Sequence, residues 1–419
     1  MILKVAKTTN INGTIRISGS KNSSLALICA SLLSKEEVVL NNVPDIEDIK
    51  KIIEILRSIG SNIKYENNTL TIRNRKISYK VNSELVRQIR GSSYLIGALL
   101  ARCKKVEISE PGGCNFCDRP IDLHLYAANL LGYVVKNTSP LIIKKGNVTS
   151  NTIIFPKKSV GATINTIFMA SNIDGITTII NPSLEPEVLD VCKLLKKMSI
   201  EISIEENKIL INGVKKLTKT ISYPIVHEVI PDRIEAGSYL LLASSFPNSK
   251  IEIQNVNSSH LTNVLILLKS LGAKIIKTPD SIKLESPQIL KNTNLIISEY
   301  PYFPTDLQQI LSSTLLFSQS KSVIEDRVFP KRLSHLNELK KLGAKIYLEN
   351  EQIIIEPSIL SSSIVEAKDL RCAMALVIAA AHAEGVTLIE KGEYLLRGYE
   401  NPLSKMKRLG VNVDIIYWC

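Results

Sequence analysis

The stretch "LLKSLGAKI" (267–275) reads as a helix C-terminus feeding a strand: leucines on a helical face, a glycine where a left-handed cap is needed, then residues turning toward a β pattern. Five other segments carry the same text: "LRSIGSNI" (56–63), "NLLGYVV" (129–135), "LLKKMSIEI" (194–202), "KKLGAKI" (340–346) and "KRLGVNV" (407–413). The cap positions are Gly60, Gly132, Ser199, Gly272, Gly343 and Gly410, so successive copies lie 72, 67, 73, 71 and 67 residues apart. Six copies of a unit of about 70 residues fill the chain, and each exceeds the ~20–50-residue period of solenoids and propellers, so each is expected to be a substantial α/β module. Two domains of three modules each are the economical arrangement for 419 residues.

Every copy also opens alike, with a short polar turn, a helix of small apolar residues and a strand. The six openings are "SGSKNSSLALICASLL" (18–33), "VRQIRGSSYLIGALLA" (86–101), "KKSVGATINTIFMA" (157–170), "PDRIEAGSYLLLAS" (231–244), "FPTDLQQILSSTLLF" (303–317) and "KDLRCAMALVIAAA" (368–381). These turns set Lys21, Asn22, Arg90, Ser159, Asp232, Arg233, Asp306, Asp369 and Arg371 at helix N-termini. Exposed N–H groups and the helix dipole make such ends receptive to anions.

Composition narrows the function classes. Apolar residues make up 45% and charged residues 22%, as in a chain that buries a full core. The longest apolar run, "CAMALVIAAA" (372–381), falls well short of the ~18 residues of a membrane span. "MILKVAKTTN" (1–10) reads as a strand and not as a signal peptide, so a cytoplasmic location is expected, with no membrane partner. The seven cysteines are odd in number and mostly sit in apolar helical text, which points to reduced thiols. The net charge of +12 comes mostly from scattered lysines, and aromatic residues make up only 5%, so small anionic substrates fit better than nucleic acid. A basic RNA-binding protein on a repeated α/β scaffold is the competing class.

Between strand and second helix each copy has another slot. Copies one, three and four fill it with "NVPDIEDI" (42–49), "NPSLEPEVL" (181–189) and "NVNSSHLTNV" (255–264), which are ordinary turn text. Copy two has "PGGCNFCDRPIDLHL" (111–125), copy five "DRVFPKRLSHL" (326–336) and copy six "EYLLRGYEN" (393–401). Arg119, Arg332 and Arg397 exceed what a turn requires, and if the two domains face each other these arginines converge on an anion; a solvated loop charge or helix cap is the equal alternative for each of them. Cys114 and Cys117 have no second pair to complete a zinc site, and the five histidines are dispersed. A redox pair fits the strand-to-helix position but leaves the arginines unexplained. A single functional thiol at Cys114, after two glycines and near Arg119, and a merely structural pair both stand open on this reading.

These motifs, in this order, resemble the UDP-N-acetylglucosamine enolpyruvyl transferase family over nearly the whole chain. "PGGC" followed by "RPIDLH" is specific, because the related shikimate-phosphate enolpyruvyl transferases lack the cysteine loop. The resemblance implies an α/β fold of two similar domains, each of three βαβαββ units with pseudo-threefold symmetry (an inside-out α/β barrel). It sets the N-terminal domain at 22–229 and the C-terminal domain at 1–21 plus 230–419. It implies transfer of the enolpyruvyl group of phosphoenolpyruvate to the 3-hydroxyl of UDP-N-acetylglucosamine, the first committed step of peptidoglycan synthesis, without metal or organic cofactor. An enolpyruvyl transferase with another acceptor, shikimate 3-phosphate or a different nucleotide, is the nearest alternative. The oligomeric state is not implied.

Residue by residue, the resemblance makes Cys114 the proton donor and Asp306 the carboxylate beside the attacking hydroxyl, with Lys21 and Arg397 also catalytic. Lys21 and Asn22 meet phosphoenolpyruvate and the sugar nucleotide, and Arg90 is a substrate arginine. Arg119, Pro120, Ile121, Asp122 and Leu123, with Lys157, Lys158, Ser159 and Val160, match sugar-nucleotide contacts, and Val328 a uracil-side contact. Arg332, Arg371 and Arg397, with Asp369 beside them, match the groups around the phosphate and carboxylate of phosphoenolpyruvate. Two departures stand out: Tyr394 and Leu396 replace the His and Asp of the family's His-x-Asp-Arg-Gly-Tyr, and Phe116 and Cys117 stand where small aliphatic and glycine residues are usual.

Overall fold

All six cap positions adopt the left-handed conformation that the repeat demands: φ is +108° at Gly60, +86° at Gly132, +63° at Ser199, +106° at Gly272, and +93° at both Gly343 and Gly410 in the computed structural model of the chain. The structure describes residues 1–112, 120–136, 138–214 and 224–416. Ser199 is the one non-glycine cap, and it carries the Cβ penalty of about 1–2 kcal/mol that glycine avoids.

Each copy folds as strand, buried helix, strand, outer helix and a two-stranded return. Among the described residues there are five four-stranded sheets and one three-stranded sheet. In each four-stranded sheet the first strand lies parallel to the second, as Thr152–Ile154 does beside Gly175–Ile180, and the other pairings are antiparallel. Copy two has the three-stranded sheet; there an isolated bridge from Lys80 to Glu107 stands in place of the first strand.

Three copies are completed by strands from far along the chain. Ile225–Glu228 pairs in parallel with Val38–Asn41, and Asn12–Arg16 with Lys250–Gln254. Ile2–Ala6 lies antiparallel between Val386–Glu390 and Val413–Ile416. The chain accordingly divides into two compact units. One, discontinuous, takes in the described residues of Met1–Ser18 and Pro231–Cys419; the other, inserted, takes in those of 19–230.

Within each unit three helices form the core and the sheets wrap them. In the discontinuous unit these are Arg233–Ser244, Gln308–Leu315 and Leu370–His382; in the inserted unit they are Lys21–Ala30, Leu95–Arg102 and Val160–Ala170. From Ile234 to Ser244 every side chain is buried, as is every one from Arg371 to Ala381. Small residues let such helices approach: a Cβ on Gly97 would stand 2.4 Å from the Asn165 carbonyl oxygen. Two buried hydroxyls are satisfied by helix carbonyls, Ser238 donating to Ile234 O at 2.7 Å and Ser313 to Ala375 O on the neighbouring helix at 2.7 Å.

The slots that read as plain turns contain a repeated latch. Asn42, Asn181 and Asn255 follow their strands with φ of +58°, +58° and +56°. Each side-chain amide donates to the end of the adjoining parallel strand: to Val229 O at 2.9 Å, Phe155 O at 2.9 Å and Ile17 O at 2.7 Å respectively. Asparagine tolerates the left-handed region and supplies the donor, so one residue type does both jobs.

Candidate active site

In the discontinuous unit, Asp306 lies in a 3-10 turn, Thr305–Leu307, that leads into the buried helix Gln308–Leu315. Its carboxylate lies between two guanidinium groups: Arg332 Nη1 donates to Oδ1 at 2.9 Å, and Arg371 Nη2 to Oδ2 at 3.2 Å. The arginines are only 3% and 5% exposed, so a shared counter-ion is what makes their burial tolerable. Arg332 also donates to Thr305 O at 2.6 Å and rests 4.9 Å from the Phe329 ring centre. Arg371 donates to the Tyr399 hydroxyl at 3.1 Å, and that hydroxyl is shared with Ser238 Oγ at 2.8 Å. Burial pulls the Arg371 pKa down, but Tyr399, Asp306 and Asp232 more than reverse this and hold it above the ordinary arginine value.

The surrounding groups hold this cluster in register. Asp369 caps the helix Leu370–His382: Oδ1 accepts from Arg371 N at 2.9 Å and Cys372 N at 3.0 Å, while Oδ2 accepts from Ser334 Oγ at 2.7 Å and Gln309 Nε2 at 3.3 Å. It sets Arg371 through the backbone of its helix. Asp326 accepts from Val328 N at 2.9 Å and from Thr305 Oγ1 at 2.6 Å, which ties the Val328–Arg332 slot to the Asp306 turn. Arg397 ends the 3-10 helix Gly392–Arg397, with its guanidinium carbon 6.0 Å from the Tyr394 ring centre. Residues three apart eclipse in a 3-10 helix, so Tyr394 lies under the arginine.

In the inserted unit, Lys21 begins its helix 8% exposed, with Nζ 3.2 Å from Asp48 Oδ2; Asn22 beside it is half-buried. Arg90 begins a 3-10 helix and donates to Pro111 O at 3.1 Å. Pro120 and Asp122 are exposed, Ile121 is half-buried and Leu123 buried; Asp122 begins the helix Asp122–Leu130. Lys157 is exposed, Lys158 and Val160 are half-buried, and Ser159 caps the helix Val160–Ala170 by accepting from Ala162 N at 3.3 Å. His124 draws three of these segments together. It is 5% exposed, its pKa is lowered to about 4 first by burial and then by Arg90, and Asp122 opposes that shift. A Cβ at Gly161 would come 2.8 Å from its Nε2, so a larger residue there requires the ring to shift. Cys114 and Arg119 lie outside the described residues.

Sequence reasoning missed Tyr399 and Asp48, which hold the side chains of Arg371 and Lys21 from other segments, and Asp326, which ties the Thr305 side chain of the Asp306 turn to its own slot. A signal did exist for His124 and His335. Both stand eight residues before a cap glycine (132 − 124 and 343 − 335), where the other copies have Ile52, Val191, Val264 and Pro402. A histidine in an aliphatic register marks a buried polar group beside the site.

Comparison with known proteins completes the picture. A family model described as EPSP synthase (3-phosphoshikimate 1-carboxyvinyltransferase) matches residues 5–406. A protein of Nitratiruptor sp. named UDP-N-acetylglucosamine 1-carboxyvinyltransferase is 37% identical over 417 residues, 98% of each chain. The protein of that name from Prosthecochloris aestuarii is 38% identical over 411 residues, covering 96% of this chain and 95% of its own. The chain belongs to the UDP-N-acetylglucosamine 1-carboxyvinyltransferase family. Solved structures place that family's chain on an enolpyruvyl transferase fold: NikO of Streptomyces tendae superposes with a TM-score of 0.89 at 21% identity, covering 99% of this chain and 98% of NikO. EPSP synthase from Acinetobacter baumannii gives 0.75 at 17% identity, with 100% of both chains covered. Among the described residues no helix is long and apolar enough to cross a membrane.

Proposed function

We propose that the chain transfers the enolpyruvyl group of phosphoenolpyruvate to the 3-hydroxyl of UDP-N-acetylglucosamine and releases phosphate, as the first committed step of peptidoglycan synthesis in the cytoplasm. The observation that carries this reading is identity of 37% over 98% of the chain with proteins of that name. The Asp306–Arg332–Arg371 cluster supports it chemically.

Phosphoenolpyruvate brings a phosphate and a carboxylate. Two buried arginines that share one carboxylate counter-ion can turn part of their donor set to such an anion, at a site where low dielectric strengthens each contact. Lys21, Arg90 and Arg397 add cationic charge, and Asn22, Arg119, Pro120, Ile121, Asp122, Leu123, Lys157, Lys158, Ser159, Val160 and Val328 are assigned to the sugar nucleotide. Cys114 delivers a proton to the methylene carbon, which makes the adjacent carbon electrophilic. The 3-hydroxyl oxygen bonds to that carbon while Asp306 accepts its proton. The resulting tetrahedral adduct loses phosphate as the methyl group gives back a proton, and the carbon–carbon double bond is restored. Asp369 fixes Arg371 throughout.

Incubation with both substrates, followed by a phosphate assay, tests the reading. Release that requires UDP-N-acetylglucosamine is expected; folded protein that releases none refutes it. Replacing the acceptor by shikimate 3-phosphate separates this activity from that of the EPSP synthases. Fosfomycin, an epoxide mimic of phosphoenolpyruvate, is expected to label Cys114, with Cys114→Ala losing both label and turnover and Cys117→Gly keeping both.

A further inference from the structure

Asp190 lies on the outer helix Pro186–Lys197, only 1% exposed, and both of its oxygens are engaged. Oδ2 accepts from Ser23 Oγ at 2.5 Å and from Ile230 N at 3.3 Å, while Oδ1 meets His227 Nε2 at 2.9 Å. Ser23 is fully buried and His227 is 4% exposed. A carboxylate so deep is costly unless each lone pair finds a partner, and here the three partners come from two segments, the helix that holds Ser23 and the stretch from His227 to Ile230.

Two of these bonds bear on one turn, and the third, to His227, braces the carboxylate that makes them. Ser23 is the third residue of the helix that begins with Lys21 and Asn22. Ser20 caps that helix, its Oγ accepting from Ser23 N at 3.3 Å, and its own N–H donates to Ile230 O at 2.8 Å. Ile230 therefore receives the turn through its carbonyl and hands it to Asp190 through its amide. Packing alone would be served by an aliphatic residue at 190, as at the neighbouring Val188, Val191 and Leu194.

We propose that Asp190 is a positioning residue for Lys21 and Asn22: with Ser23 and Ile230 as its two arms and His227 bracing the carboxylate, it fixes the N-terminal turn that presents both side chains to substrate. The proposal rests on the transferase reading, in which Lys21 and Asn22 meet phosphoenolpyruvate and the sugar nucleotide. Asp48 holds the Lys21 ammonium directly, whereas Asp190 holds the backbone from which Lys21 and Asn22 project.

Steady-state kinetics of the full chain test it with three variants. Ser23→Ala removes one arm and leaves Asp190 its bonds to Ile230 and His227; Asp190→Asn keeps the shape and removes the charge. A displaced turn is expected to raise KM for phosphoenolpyruvate about tenfold and to lower kcat/KM by about 10- to 100-fold in each. Ser23→Thr, which keeps the hydroxyl, is expected to recover most of the loss. A purely structural role scales kcat with the folded fraction and leaves KM fixed, so unchanged KM in both Ser23→Ala and Asp190→Asn overturns the proposal even if both melt at lower temperature. Wild-type chain without turnover would refute the transferase reading and the proposal together; wild-type turnover with unaltered variants refutes the proposal alone.

Discussion

His335 gives the fold a measurable acid sensitivity that valine removes. The imidazole is fully buried, and neither ring nitrogen has a hydrogen-bond partner among the described residues. Burial lowers its pKa from 6.5 to about 4; Asp369 opposes that shift and Arg332 adds to it. The unfolded chain binds a proton at higher pH than the folded one, so this histidine costs nothing above about pH 6.5 and progressively destabilises the fold as pH falls toward 4. At about 1.4 kcal/mol per pH unit, the loss is about 2 kcal/mol at pH 5 and about 3 kcal/mol at pH 4. His335→Val places at this position the residue that the matching copies have at 191 and 264. Valine leaves a smaller side chain, which shifts stability equally at every pH and so does not enter the comparison. Glu235, raised to about 6 chiefly by burial, acts in the opposite sense, gaining stability as pH falls from 6 to 4.5, but it is common to both proteins and cancels. Urea unfolding followed by circular dichroism at neutral pH and at about pH 5 is expected to show wild type losing about 2 kcal/mol more than His335→Val. Parallel pH profiles for the two proteins would refute the reasoning.

Other perturbations reach the site and the core. Tyr399→Phe removes the hydroxyl that holds Arg371; a hydrogen bond to a charged group is worth about 1.5–3 kcal/mol, so kcat/KM for phosphoenolpyruvate is expected to fall at least about tenfold, and an unchanged value means Asp306 alone orients the arginine. Tyr394→Ala takes the ring from beneath Arg397 and is expected to raise KM for phosphoenolpyruvate about threefold, while Tyr394→Phe keeps wild-type kinetics; equal losses in the two would assign the effect to the hydroxyl. Gly97→Ala drives a methyl group against the Asn165 carbonyl and is expected to cost about 1–3 kcal/mol in unfolding free energy, with unaltered stability counting against the close helix approach.

The six caps were legible because a left-handed residue at a helix end is a local requirement, written into the chain wherever the helix stops. The helix N-terminal residues were legible for a similar reason, since Lys21, Asp306 and Asp369 interrupt otherwise small apolar text. The strand exchange was not. Nothing in "NGTIR" (12–16) or "IVHE" (225–228) distinguishes a strand that completes a distant copy from one that pairs locally, because pairing is decided by the partner's edge and not by the strand's own residues. The same limit hid Tyr399, Asp48 and Asp190, whose roles exist only once another segment is alongside. The plain slots show most clearly how repeat and function divide the same position. Asn42, Asn181 and Asn255 turn left-handed and latch a neighbouring strand, and Lys391 in copy six keeps the conformation at +52°. Copy five has Arg327 there, and its N–H continues the ladder to Ile297 O at 3.0 Å instead. Released from the left-handed turn, the chain runs on so that Val328 and Phe329 donate to Asp326 at 2.9 Å each, and Arg332 is carried to within 2.9 Å of Asp306. Copy five, which lacks the latch, thus delivers a buried arginine to the Asp306 cluster, and an asparagine engineered at 327 is the change that sets the two uses of the slot against each other.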